Sequence, residues 1–112
     1  MVTVAAARQL ALSLPETEEK SHFETPDFRV KNKIFATIKA DKQLMMVKLS
    51  AVDQSVFCSF DTTVIYPVPG GWGRQGATYI ELKKVKKAML LDALTMAWKQ
   101  VAPKKMVAKY LD

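Results

Sequence analysis

One cysteine, one histidine and four glycines are all that the 112 residues hold of the types most small-domain chemistry relies on. The lone Cys58 forms no internal disulfide and points to a reducing compartment, so a cytoplasmic location is expected. His22 has no second histidine or nearby cysteine, and neither a transition-metal site nor a bound cofactor is expected. Long apolar runs are missing too. The longest have four residues, at 4–7, 44–47 and 88–91, far short of a bilayer span, and no secretory stretch follows Met1. What is present is an ordinary globular composition, 49% hydrophobic and 25% charged. One domain over residues 1–112 is expected.

The net charge of +6 is unevenly placed. Residues 1–30 carry −2, residues 31–82 carry +2, and residues 83–112 carry eight lysines against Asp92 and Asp112. A lysine-rich end suits a polyanion through counterion release. Lysines are also the commonest way to solvate a helix, so charge alone leaves both readings open.

Periodicity and turn chemistry divide the chain. Residues 3–14 read as a helix stopped by Pro15, with Val4, Ala7, Leu10, Ala11 and Leu14 at three- and four-residue spacing. An acidic, irregular stretch is expected over 16–27, with a short strand at Ser21-His22-Phe23. Residues 28–30 and 34–39 read as a hairpin around Lys31-Asn32-Lys33, where Asn32 tolerates a positive φ. A second turn at 40–42 leads into a strand at 43–49. Ser50 followed by Asp53 is a weak capping box opening a short helix, given an apolar stripe by Val52, Val56, Phe57 and Phe60. Residues 62–66 read as a strand, 67–76 as a loop and 77–82 as another strand. Residues 85–102 form the clearest helix, with Leu91, Leu94, Trp98 and Val101 on one stripe and Ala88 above it. Pro103 interrupts it, and a shorter helix is expected over 104–111. The order implies an α+β domain, an antiparallel sheet packed against helices.

All four glycines fall in 70–76, and Gly71-Trp72-Gly73-Arg74-Gln75-Gly76 matches G-x-G-x-x-G. A dinucleotide fingerprint needs a helix to follow, whereas residues 77–82 read as a strand, so the match is accidental. Trp72 and Arg74 matter more. An exposed indole beside a guanidinium can stack on a base and pair with a phosphate; alternatively, Trp72 packs on the core and Arg74 answers a carboxylate. His22 reads as a hydrogen-bonded structural residue, and Cys58 as a small core residue with no activating base. Glu16, Glu18, Glu19, Glu24 and Asp27 lack calcium-loop spacing and read as a solvated edge. Enzyme chemistry has no positive signal, and a non-enzymatic protein is expected. Lys33 and Lys39 flanking the hairpin, Lys48 ending the next strand, and Lys104 and Lys105 at a helix start are candidate phosphate contacts.

Several segments in order resemble the YjbR/MmcQ family. They are Leu12-Ser13-Leu14-Pro15, His22-Phe23, Pro26-Asp27-Phe28-Arg29-Val30 with residues 33–38, Val47-Lys48-Leu49, residues 69–76 with 78–82, and Ala97-Trp98 with Val101-Ala102-Pro103-Lys104. The resemblance implies a CyaY/frataxin-like fold, described as a double wing, and a DNA-binding label that rests largely on fold analogy. It points to Phe28, Phe35 and Trp98 as fold residues and to Lys33, Lys48, Trp72 and Arg74 for binding. Frataxin-type iron binding does not carry over, because residues 3–14 contain no acid.

Two functions follow. The first is a monomeric DNA-binding module of low sequence specificity, with no membrane role, using Lys33, Lys48, Trp72, Arg74, Lys104 and Lys105. Only three arginines are present, which argues against a base-reading operator protein. The second is a protein- or small-ligand-binding module whose groove lies around the glycine loop, Trp72 and Tyr79.

Overall fold

In a computed structural model, which describes residues 1–111, the sheet has six strands in the order β1-β2-β3-β4-β6-β5, every pair antiparallel. Helix α1 (Val4–Leu12) starts where Thr3 Oγ1 accepts the Ala6 N–H at 3.0 Å. It stops at Ser13, two residues before Pro15. Strand β1 (Thr17–His22) then pairs along its whole length with β2 (Thr25–Val30). The acidic stretch expected to be irregular is therefore an edge strand. Both of its faces meet solvent, so it has no apolar alternation to announce it.

Two-residue turns close both hairpins. Phe23 and Glu24 join β1 to β2 with φ of 49° and 64°, and Lys31 and Asn32 join β2 to β3 (Lys33–Lys39) with φ of 50° and 64°. Consecutive positive φ values fit the right-handed twist of hairpin strands. The register slips between Phe28 and Arg29, leaving Phe35 as an extra residue on β3. That bulge allows consecutive Phe35 and Ala36 both to be fully buried. A 3-10 turn (Ala40–Lys42) leads into β4 (Leu44–Lys48).

Helix α2 (Ala51–Cys58) is capped as expected, Ser50 Oγ accepting the Asp53 N–H at 3.1 Å. Its apolar stripe is not where the spacing put it. Phe57 is buried, but Val52, Val56 and Phe60 are exposed, and Cys58 is half-buried with its thiol pKa pushed up by burial. Phe57 shares the inward side with a polar residue. Gln54 Nε2 shares its hydrogens among the Gly73 carbonyl (2.8 Å), the Thr78 hydroxyl (3.1 Å) and the Ala77 carbonyl (3.2 Å).

Strand β5 (Ile65–Pro67) starts later than expected because Asp61 accepts both the N–H and the hydroxyl of Thr63, at 2.9 and 2.6 Å. That local turn competes with the ladder, and the same bonds hold the Asp61 carboxyl below its usual pKa. The expected loop contains a one-turn helix, α3 (Gly71–Arg74), before β6 (Ala77–Glu81).

Helix α4 (Lys87–Val101) packs on β3 and β4, α1 packs on α4, and α5 (Lys104–Leu111) follows. The buried stripe of α4 is Leu90, Ala93, Leu94, Ala97 and Trp98, while Leu91 and Val101 are half-buried and Ala88 is exposed. Leu94 and Trp98 lie on it as expected, while Leu90, Ala93 and Ala97 fill the places the spacing gives to Leu91 and Val101. No helix among the described residues is long and apolar enough to cross a membrane.

Gly76 fixes the turn before β6. Its φ is +105°, and a Cβ there would meet the Leu49 carbonyl oxygen at 2.0 Å. Gly76→Ala is expected to cost about 2–3 kcal/mol in strain and displaced backbone, read as a lower urea midpoint with unchanged slope. An unchanged midpoint would show that the β4–α2 connection yields freely.

Candidate functional site

Alternation along the strands decides which residues face away from the helices. Ala36, Ile38, Met45, Val47 and Ile80 are fully buried in the core with α4. Their neighbours Thr37, Met46 and Tyr79 are cross-strand partners on the opposite face, with Asp27 and Lys20 on one side and Tyr66 on the other. Helices α1 and α4 leave this second face open. Tyr66 and Tyr79 meet edge-on with centroids 6.0 Å apart, and Lys39 Nζ lies 5.4 Å from the Tyr79 ring centroid. Tyr66 donates its hydroxyl hydrogen to Glu81, which together with burial pushes its pKa up to about 12.

A groove of about 350 Å³ crosses this face over Thr37, Met46 and Tyr79. Phe23 and His22 reach it from the β1–β2 connection, and Val68 and Trp72 from the β5–β6 connection at the opposite edge. The backbone sets the second wall. A Cβ on Gly73 would meet the Val68 carbonyl oxygen at 1.9 Å, so only glycine lets the loop fold this tightly. Gln54 holds the same glycine's carbonyl. The result is a Trp72 that is 71% exposed instead of packed on the core. Arg74 is exposed as well, with no carboxylate at ion-pair distance among the described residues.

Beneath the His22 end lies a buried charge cluster. Asp27 is fully buried. Arg29 donates to it from Nε (2.8 Å) and Nη2 (3.1 Å), and His22 donates from Nδ1 (2.7 Å). The Arg29 hydrogen bonds hold the Asp27 carboxyl below its usual pKa; burial opposes them and His22 assists. Asp27 in turn raises the Arg29 guanidinium. The expectation that Asp27 belongs to a solvated acidic edge is thus wrong. Asp27 and Arg29 share one face at i and i+2, a signal present in the sequence. Glu16 and Glu19 are also engaged, by Tyr110 and Lys31 and by Arg8 respectively.

The other sequence candidates are dispersed. Lys33 opens β3 and Lys48 ends β4, both exposed, and the pairing of Ala36 with Val47 puts them at one end of the sheet. The 68–76 loop springs from that same end, since Lys48 pairs with Ala77. Lys104 and Lys105 start α5 in the helical layer and do not line the groove. Lys39, a basic residue flanking the hairpin, is the one lysine among the sequence candidates that lines the groove, whereas nothing in the sequence assigns Phe23 and Thr37 a binding role. The Phe23 turn contains no Gly or Asn, so nothing marks it as a turn that displays an aromatic ring. No cluster of three or more His, Cys, Asp or Glu suited to a metal occurs among the described residues.

Comparison with known proteins bears on the fold and the family. The crystal structure of the Deinococcus radiodurans protein DR2400, described with a DUF419 domain, matches with a TM-score of 0.77. The match covers 97% of this chain and 88% of that one at 18% identity, a likeness of fold. No curated protein matches the chain. The YjbR family model matches residues 12–100, from the end of α1 into the last turn of α4. The α+β fold and this match agree, and the chain belongs to the YjbR family.

Proposed function

We propose that the protein is a non-enzymatic nucleic-acid-binding module of low sequence specificity, which takes DNA on the face of its sheet that α1 and α4 leave open. The observation that carries this reading is the exposed Trp72 on the same short turn as an exposed Arg74 that has no carboxylate partner among the described residues. An exposed indole and an exposed guanidinium two residues apart on one short helix offer a stacking face and a phosphate contact, Arg74 lining the neighbouring cleft with Gln54 and Pro67 and not the groove under Trp72. The placement of Lys33 and Lys48 at the same end of the sheet supports it, while the lysines of residues 83–112, largely in the helical layer, add only a long-range attraction for polyanions. Lysines predominate, so phosphate contacts outweigh base reading.

Titration with short DNA of random sequence tests the reading. If about four cations contact phosphates, affinity should fall roughly a hundredfold between 50 and 200 mM salt. Arg74→Ala should weaken binding about fivefold to tenfold and flatten the salt dependence by one phosphate contact. Absence of binding at low salt would sink the proposal. The volume of the groove favours a second reading, a small planar ligand between Phe23 and Trp72. Such a ligand would quench Trp72 fluorescence with little dependence on salt.

A further inference from the structure

We infer that the groove receives an unpaired nucleobase between Phe23 and Trp72, so that the preferred ligand is a single strand and not a duplex. This rests on the nucleic-acid reading above. Phe23 is 98% exposed, the most exposed aromatic side chain described, and it holds a left-handed φ of 49°. Bulky residues seldom take that conformation, and a hairpin turn is more easily built from Asn and Gly. The turn thus gives up local stability and leaves an apolar ring in water. Trp72 does the same from the opposite edge of the sheet, and both rings line one groove.

The space between them has the polarity a base needs. Its volume of about 350 Å³ lies at the small end of the roughly 300–1,000 Å³ that ligand sites span. Tyr79 supplies an aromatic floor and Thr25 and Thr37 supply hydroxyls. His22 spends Nδ1 on Asp27, which leaves Nε2 as the free nitrogen of a ring that is 41% exposed. Lys39 lies at the floor of the groove, and Arg74, on the turn that carries Trp72, lines the adjacent cleft, where a neighbouring phosphate of the same strand could reach it. In a duplex the faces of the bases are hidden in the stack and only their edges show. Two rings reaching over a groove can engage a base only after it has left the stack, as in single strands.

The test is fluorescence anisotropy of labelled strands of equal length with the full chain at low salt. The probes are oligothymidylate, oligouridylate, a duplex, and an abasic strand that keeps the phosphates but lacks bases. The oligothymidylate should bind about tenfold tighter than the duplex or the abasic strand. Phe23→Ala and Trp72→Ala, both at exposed positions, should each bring it down to the abasic level, whereas Arg74→Ala should weaken all probes alike. Preference for oligouridylate over oligothymidylate supports the inference equally and names RNA as the source of the base. If the duplex or the abasic strand binds as tightly as the single strands, or if Phe23→Ala changes nothing, the inference fails and the nucleic-acid reading survives. If no probe binds, both fail.

Discussion

Replacing Trp98 with alanine should lower the free energy of unfolding by about 3–5 kcal/mol and the melting temperature by roughly 15–25 °C for a domain of this size. Trp98 is the largest fully buried side chain, set on the stripe by which α4 meets the sheet. Its removal leaves a cavity that close-packed neighbours such as Phe35 and Leu94 cannot fill without moving β3 or α4. The indole has a second role. Its N–H donates to the Pro15 carbonyl at 2.9 Å, joining α4 to the connection between α1 and β1. Trp98→Phe separates the two contributions. It keeps most of the apolar contact but leaves the carbonyl of half-buried Pro15 with only the Thr17 hydroxyl, at 3.5 Å, and about 1–2 kcal/mol should be lost. Equal losses for both variants would show that the hydrogen bond, not the packing, dominates.

Asp27→Ala is expected to cost a similar amount, about 3–5 kcal/mol, because it leaves Arg29 without its anion beside a buried position. The carboxylate is fully buried, and Arg29 holds both of its oxygens. The pH dependence has a defined sign. Arg29, first among the causes, depresses the folded-state pKa of Asp27. The unfolded carboxyl titrates near 3.9, so the stabilisation is fully present above that value. It is lost as pH falls through the lower folded-state value. Urea midpoints measured from pH 7 down to pH 3 should therefore fall in the native protein and fall less steeply in Asp27→Asn. Glu16 and Asp61 are depressed too, by Tyr110 and Thr63 respectively, so the comparison with the variant isolates the buried group. Identical slopes would mean that the cluster adds nothing to acid stability.

The hairpin β2–β3, the Ser50 cap and helix α4 were legible because each has a local cause: turn residues, a hydroxyl before an apolar run, or a sustained helical period. Strand β1 was not legible, since an edge strand wet on both faces carries charge where a half-buried strand carries alternation. Helix α2 misled for a related reason. Spacing shows that Val52, Val56 and Phe60 share a side, but only the contacts of Gln54 reveal which side turns inward. For the candidate site, residue chemistry alone was enough to single out Trp72 and Arg74. Lys39 is legible as a basic residue beside the hairpin, but its place over the Tyr79 ring, like the role of Phe23, depends on which face of the sheet the helices leave open, a property of the assembled layers that no short window of sequence contains. Asp27 was misread because its neighbours are acidic, although its partner stands two residues away.

Gln54 has a consequence for kinetics. By holding Gly73, Ala77 and Thr78 together it braces the turn that carries Trp72 before any ligand arrives. Whatever enters the groove meets a wall already in its final shape, so association carries little cost for ordering that loop. For the proposed nucleic-acid ligand, encounter would then limit the on-rate in place of a conformational step.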